Sequence, residues 1–400
     1  MEKITFVIPS RNNLEFLKLS YQSIRNLVHD HDILVLDDYS IDGTKEWLES
    51  LNDEHLITYY NPGPDRIGIV GMFDKGIELA RTEIIFAFHA DMIAGPSLDI
   101  NILKYLKPGT VVSATRIEPP LHPPGPEKIT QAWGNEPEDI NFSGIINSIG
   151  HFEKQNKDKV TEGIFAPWCM YKSDYLAIGG HDELFAPQSK EDSDLFNRFV
   201  LNGYKILQSW DGLVYHFTSR GSRFNKYSGG GAGKDSPEWQ YTTTKNARNF
   251  IRKWGHFVKH DEFMKPMISH KYNVAFVMNK GNLQLLEALE PWCDRIYTDE
   301  VFNVGRLQDY IEMEQSNTKF DLSKRVLIKD ENDPYAENDI VVEVNGNYFT
   351  QEDFYMIQNL SDVITQTCKD AEDVQGEYQL GNLKVTIMHL ETYEHELIKL

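Results

Sequence analysis

Apolar and polar positions follow two rhythms along the first hundred residues. Ile4 to Ile8 is a β-branched and aromatic run closed by Pro9, which predicts a strand that stops sharply. Leu14, Leu17, Tyr21, Ile24 and Val28 then recur at spacings of 3, 4, 3 and 4, one face of a helix. Ile33 to Leu36 predicts a second buried strand, ended by Asp37-Asp38, and Tyr39 to Thr44 a turn into a helix carrying Trp47, Leu48 and Leu51. Leu56 to Tyr60 is a third strand. Ile69, Phe73, Ile77 and Ala80 mark the next helix face, and Ile84 to Phe88 the fourth strand. Strands alternating with helices imply right-handed crossovers and a parallel, Rossmann-like sheet over residues 1 to about 95.

Further on the rhythm loosens. Val111 to Thr115 predicts a strand, but Pro119, Pro120, Pro123, Pro124 and Pro126 forbid regular structure after it. That stretch reads equally as a surface loop or as a substrate-facing wall. Ile164 to Tyr171 predicts a strand bearing Trp168, and Glu191-Asp192-Ser193-Asp194 opens a helix with Leu195, Phe196, Phe199 and Val200, stopped by Gly203. Two strands follow, Lys205 to Gln208 and Gly212 to Tyr215, the second ending in His216. Residues 220 to 233, with five glycines and alanine among them, predict a mobile segment, and Ser236-Pro237-Glu238 a new helix with Trp239, Phe250 and Trp254. From about 268 the pattern restarts. Strands are expected at Tyr272 to Met278, Arg295 to Tyr297, Arg325 to Ile328, Ile340 to Val344 and Leu383 to Met388, and helices at Leu283 to Leu289 and 304 to 315. The organisation expected is a catalytic-type domain over 1–225, a loop and connecting helix over 226–267, and a smaller α/β domain over 268–400. The last contains no evident catalytic constellation, and His389 and His395 read as surface residues.

The length of 400 residues agrees with two domains. A net charge of −21 argues against nucleic acid and anionic membranes as partners, since both want basic patches. It leaves an anionic small ligand open, because a divalent cation inverts the local field. Cys169, Cys293 and Cys368 lack metal-ligand spacing and fit a reducing compartment. No apolar run approaches the ~18 residues of a membrane span, and no signal-peptide pattern opens the chain, so a soluble, cytoplasmic protein is expected.

The chemistry gathers at strand ends. Pro9-Ser10-Arg11-Asn12, Asp37-Asp38, Ser40 and Asp91 all fall at carboxyl ends of predicted strands, where open α/β sheets bind ligands. Asp91, after the strand of EIIFAFHADM, is the first candidate metal ligand, although a lone strand-end Asp is more often a turn residue. No G-x-G-x-x-G and no phosphate-binding P-loop are present, so a metal is the expected phosphate clamp. Asp91 and His216 offer oxygen and nitrogen ligands suited to manganese or magnesium. Acids at a helix start have a bland explanation, the helix dipole, which accounts for one or two of Glu191, Asp192 and Asp194.

Taken in order, Pro9-Ser10-Arg11-Asn12, Asp37-Asp38-x-Ser40-x-Asp42-Gly43-Thr44, His89-Ala90-Asp91, Glu191-Asp192 and His216 resemble the GT-A fold glycosyltransferases of family 2, over residues 1 to about 225. The resemblance implies sugar transfer from a nucleoside-diphosphate sugar, UDP-linked by preference, to a glycan or glycoconjugate hydroxyl, with inversion. It implies Asp192 as base with Glu191 second, Mn2+ or Mg2+ on Asp91 and His216, and donor contacts from Pro9, Ser10, Arg11, Asp38, Ser40, Arg66, His89 and Ala90. Arg220 or Arg223 would fold over the diphosphate. His89 departs from the family pattern, standing where its D-x-D motif begins with an acid. A catalytically inactive GT-A domain serving as a binding scaffold is the alternative; retention of Asp91, Asp192 and His216 speaks against it. Nucleotidyl transfer wants a glycine-rich loop after the first strand, which Pro9 to Asn13 lacks. The C-terminal domain is open to acceptor recognition, homo-oligomer formation or a second enzymatic role.

Overall fold

The computed structural model describes residues 2–299, 304–329, 337–369 and 374–398. The chain divides into two compact units, residues 1–243 with 260–267, and residues 244–259 with 268–400. The expected cut at 225 therefore lies further along, because residues 226–243 and 260–267 pack with the first unit.

The first unit opens as its hydrophobic rhythm requires. Strand β1 (Ile4–Ser10), helix α1 (Leu14–Arg25), strand β2 (Asp32–Asp37), helix α2 (Thr44–Ser50), strand β3 (Leu56–Tyr60), helix α3 (Gly68–Leu79) and strand β4 (Ile84–Ala87) alternate, and the four strands pair in parallel. Both faces of β1 are buried. Ile4, Phe6 and Ile8 pack with Leu17 and Ile24 of α1, while Val7 joins Phe73 and Ile77 of α3 on the other face. Such double coverage is why these strands are continuous apolar runs.

The rest of the unit widens this sheet. Strand β5 (Met92–Ala94), helix α4 (Leu98–Leu103), strand β6 (Thr110–Glu118), strand β7 (Ile129–Thr130), helix α5 (Phe142–Gln155), strand β8 (Val160–Thr161), strand β9 (Trp168–Tyr171), helix α6 (Lys172–Ala177), helix α7 (Glu191–Leu201) and strand β10 (Lys205–His216) follow. The path through the sheet is β3-β2-β1-β4-β9-β6-β10-β5, with β7 beside β6 and β8 beside β10. Strand β9 begins at Trp168, not Ile164, since Pro167 has no N–H for the ladder. The two strands expected between 205 and 215 are one, β10, in which Trp210, Asp211 and Gly212 bulge out between Ser209 and Leu213. The proline-rich stretch is tied to the sheet, for Gln208 Nε2 donates to Glu127 O at 2.7 Å. Helix α8 (Pro237–Trp254) starts with proline in its first turn, as its sequence suggests.

The second unit is a separate α/β body. It holds strand β11 (Val274–Asn279), helix α9 (Leu283–Leu289), strand β12 (Arg295–Thr298), helix α10 (Val304–Gln315), strand β13 (Val326–Ile328), strand β14 (Ile340–Asn345), helices α11 (Gln351–Gln358) and α12 (Leu360–Cys368), and the hairpin of β15 (Gly376–Leu380) and β16 (Leu383–Ile387). The sheet order is β13-β12-β11-β14-β16-β15, parallel through β14 and antiparallel after it. Its core includes a buried ionic network in which Glu290 accepts from Arg252 and Arg325, and Arg252 also reaches Glu314. No described helix is long and apolar enough to cross a membrane.

Candidate active site

The antiparallel strand β5 explains how two distant residues meet. It begins at Met92, directly after Asp91, and Met92 is the partner of His216 at the end of β10. Phe217 N–H donates to Asp91 O at 3.0 Å, and Arg220 N–H to Asp91 Oδ2 at 2.7 Å. The pairing leaves Asp91 Oδ1 3.6 Å from His216 Nε2. His89 completes the group: His89, Asp91 and His216 each offer one ligand atom, all within 4.8 Å of one another.

These three side chains suit a divalent cation. His216 Nε2 is buried without a hydrogen-bond partner. Its other ring nitrogen, Nδ1, lies 3.0 Å from Glu118 Oε1, which fixes the ring and leaves Nε2 as the free donor atom. Burial, working against the pull of Asp91, lowers the His89 pKa and favours the neutral imidazole that ligates metals.

Glu118 was not among the residues singled out from sequence. It is the last residue of β6, and its carboxylate takes Arg116 Nη1 and Lys128 Nζ, both at 2.9 Å, besides His216. Burial alone would raise its pKa. Arg116, His216 and Lys128 outweigh that and hold it far below the usual carboxylate range.

Pro9, Ser10, Arg11, Asp38, Arg66, His89, Ala90, Asp91, Glu191, Asp192 and His216 line one cavity of about 320 Å³. The sheet edge thus gathers residues from six separated stretches. The roles inside it differ in detail. Asp38 accepts N–H groups from Ile67 and Gly68 and the Asn61 side chain, each at 2.8 Å, so its oxygens already hold the start of α3. Gly68 has φ +85° there, and a side chain at that position would strike Pro187. The Ser10 hydroxyl is buried and lacks a partner.

Two expected donor contacts, Ser40 and Arg220, stand outside the cavity lining. Ser40 Oγ accepts Asn12 N–H at 2.8 Å, and Asp42 takes Leu14 N–H at 2.9 Å. This part of the D-D-x-S-x-D-G-T segment is therefore spent on binding the β2–α2 turn to the β1–α1 loop. The Arg220 guanidinium is buried, paired with Glu136 at 2.9 Å and with Asn135 O, and sits 5.6 Å from the Phe16 ring. Only its backbone N–H reaches Asp91. Arg223 lies over Trp239 and pairs with Asp235. Glu238, at the start of α8, instead clasps the two arginines of the cavity, Arg11 at 3.5 Å and Arg66 in a close ion pair.

The acids at the start of α7 separate by partner. Asp194 is fully buried and pairs with Arg198 at 2.9 Å, a structural use. Glu191 is buried with Oε2 unpartnered, and burial first, then the neighbouring Asp192, pushes its carboxyl up to about 8. Asp192 lines the cavity beside it.

Residues 5–176 match glycosyl transferase family 2. The match takes in 172 of the 400 residues. The α/β unit with its mostly parallel sheet is accordingly the GT-A fold. The family 2 segment ends ahead of Glu191 and His216, but both lie within a second match, residues 133–223, to chondroitin N-acetylgalactosaminyltransferase. Among solved structures the chain is similar to GalNAc-T7 with UDP, GalNAc and Mn2+, at 12% identity over 54% of this chain and 44% of that one, with a TM-score of 0.42. It is similar to S. aureus TarS residues 1–349, at 12% identity over 54% and 60%, with a TM-score of 0.39. A mannosyltransferase from Pyrobaculum calidifontis, PcManGT, in complex with GDP-Man and Mn2+, shares 18% identity over 63% of this chain and 70% of that one, TM-score 0.38.

Proposed function

We propose that the first unit transfers a sugar from a nucleoside-diphosphate sugar, UDP-linked by preference, to a hydroxyl of a glycan-type acceptor, with inversion and with a divalent cation, Mn2+ or Mg2+. The observation that carries this reading is the meeting of His89, Asp91 and His216 in the same cavity as Asp192 and Glu191. Asp192 takes the proton of the attacking hydroxyl. Burial and the neighbouring Asp192 favour the protonated form of Glu191, which leaves the role of base to Asp192. Ser10 and Asp38 border the nucleoside, and Arg11 and Arg66 face the diphosphate once Glu238 releases them. A cation on His89, Asp91 and His216 would stabilise the charge that grows on the leaving diphosphate.

The test is donor hydrolysis. The full chain is incubated with UDP-, GDP- and dTDP-sugars, with and without Mn2+, and free nucleotide is measured beside Asp91→Ala. Metal-dependent release from one donor, lost in the variant, is the expected result. No release, together with no calorimetric binding of any nucleoside diphosphate in Mn2+, would overturn the reading. Binding without release, even when glycan acceptors are supplied, would favour a binding module.

A further inference from the structure

Lys190 breaks three local rules at once. It occupies the cap position of α7 in the left-handed region, φ +73°, directly after Ser189, itself at φ +77°. Neither residue is glycine, and left-handed backbone in bulky residues persists only where the surroundings enforce it. A helix start prefers a side chain that accepts hydrogen bonds, and its partial positive charge disfavours a cation. Lys190 supplies no cap and places an ammonium there.

The third rule concerns pairing. Lys190 is half-buried, and among the described residues its side chain has no hydrogen-bond or ion-pair partner. Burial lowers its pKa, with Glu191 as the opposing influence. A cation drawn partly out of water usually finds a partner, and this ammonium, not being among the fully buried unpartnered atoms, is left open to one. The other cations lining the cavity, Arg11 and Arg66, are both engaged by Glu238. Lys190 is thus the one unpaired cationic side chain among the described residues of the lining, histidines apart.

Its place suggests what it meets. Lys190 directly precedes Glu191 and Asp192, the acids assigned above to the acceptor side, and lines the same cavity. A negatively charged sugar entering there would face the carboxyl groups of Asp91, Glu191 and Asp192. We infer that Lys190 recognises a carboxylate carried by a sugar at this site, so that the enzyme works on a uronic acid, present either in the donor or in the acceptor. This rests on the transferase reading above. A lysine ammonium supplies a compact, adjustable donor for such a group.

The experiment uses the full chain in Mn2+ and matched pairs differing only at the C6 oxidation level. For the donor arm these are UDP-glucose against UDP-glucuronate, UDP-galactose against UDP-galacturonate, and GDP-mannose against GDP-mannuronate, titrated calorimetrically. For the acceptor arm, methyl glucoside and methyl glucuronide are titrated with UDP present. The expected result is one uronate that binds about ten- to a hundredfold tighter than its neutral twin, the worth of a hydrogen bond between charged groups. Lys190→Met should abolish that ratio while leaving the neutral twin and UDP or GDP within about twofold, and Lys190→Arg should restore part of it. The arm in which the ratio appears assigns the carboxylate to donor or acceptor. Equal binding of the twins in both arms overturns the inference, as does a ratio that survives Lys190→Met. A loss of affinity for UDP or GDP itself in Lys190→Met overturns it too, because it would mark a phosphate contact. If no nucleotide binds the wild-type chain, the transferase reading fails and the inference with it.

Discussion

Glu118 stands one residue before a proline-rich stretch, and nothing beside it in the sequence marks it. Its importance comes from pairing between β6 and β10, which sets Ile117 against Tyr215 and so the next residue, Glu118, beside His216. Glu118→Gln keeps the shape but loses the charge that orients the imidazole. Mn2+ affinity by calorimetry is expected to fall about 10- to 100-fold, and thermal stability without metal is expected to fall as well, because buried Arg116 and Lys128 lose their carboxylate. Asp192→Asn is expected to lower transfer by about 10²- to 10⁴-fold while nucleotide binding persists, since it removes only the proton acceptor. Glu191→Gln should cost far less at pH 7, because burial and the neighbouring Asp192 already favour the protonated form of the native side chain. Equal losses in the two variants would assign the base wrongly. Asp91, Asp192 and His216 could be found from sequence because each ends or begins an element whose hydrophobic rhythm is plain. Glu118 and Glu238 could not, for His216 in the one case and Arg11 and Arg66 in the other lie far away in the chain and no local pattern announces the contact.

At the level of elements, local periodicity carried the first four strands and three helices, each within a residue or two of its predicted bounds except α1, which ends at Arg25, three residues before Val28. It failed where tertiary contact decides. Ser209 to Gly212 reads as a break between two strands, yet the chain continues through a bulge held by Asp211, which accepts from Lys104 Nζ and Asp158 N–H, both at 2.8 Å. Helix α5 contributes a different kind of hidden group. Glu153 is buried near its end, accepts Ser97 N–H at 3.0 Å, and is pushed up to about 7 by that burial. Between an ordinary value of 4.5 and about 7 the folded chain holds this proton and the unfolded chain does not. The contribution to stability is therefore full at low pH and declines as pH rises through that window. Glu153→Gln keeps the acceptor oxygen and removes the titration. It is expected to melt like the wild type at pH 4 and to be more stable at pH 8, by on the order of 2 kcal/mol. A pH-independent difference in denaturant midpoint would contradict this.

At the scale of the whole molecule, the restart of the pattern near residue 268 correctly announced a second α/β body, while its sheet order could not be read from strands of such similar composition. Its stability is expected to hinge on Glu290, which is fully buried among Arg252, Arg325 and Tyr310. Burial alone would raise its pKa, but Arg252 and the other arginines lower it to about 2. Its contribution is present above the ordinary value near 4.5 and is lost as pH falls toward 2. Glu290→Ala strands those guanidinium groups, and a loss of about 3–5 kcal/mol is expected in urea unfolding followed on the second unit alone by a local probe. In the first unit, the hydrogen bonds from Phe217 and Arg220 to Asp91 carry a consequence in time. Strands β1 to β4 can pair as soon as the first ninety residues are made, but Asp91 waits for a segment more than a hundred positions downstream. Contacts of such span form slowly. During refolding, hydrogen-exchange protection of Val7 and Val35 should therefore precede any capacity to bind Mn2+, and on the ribosome a growing chain would carry most of its sheet before it could hold a metal at all.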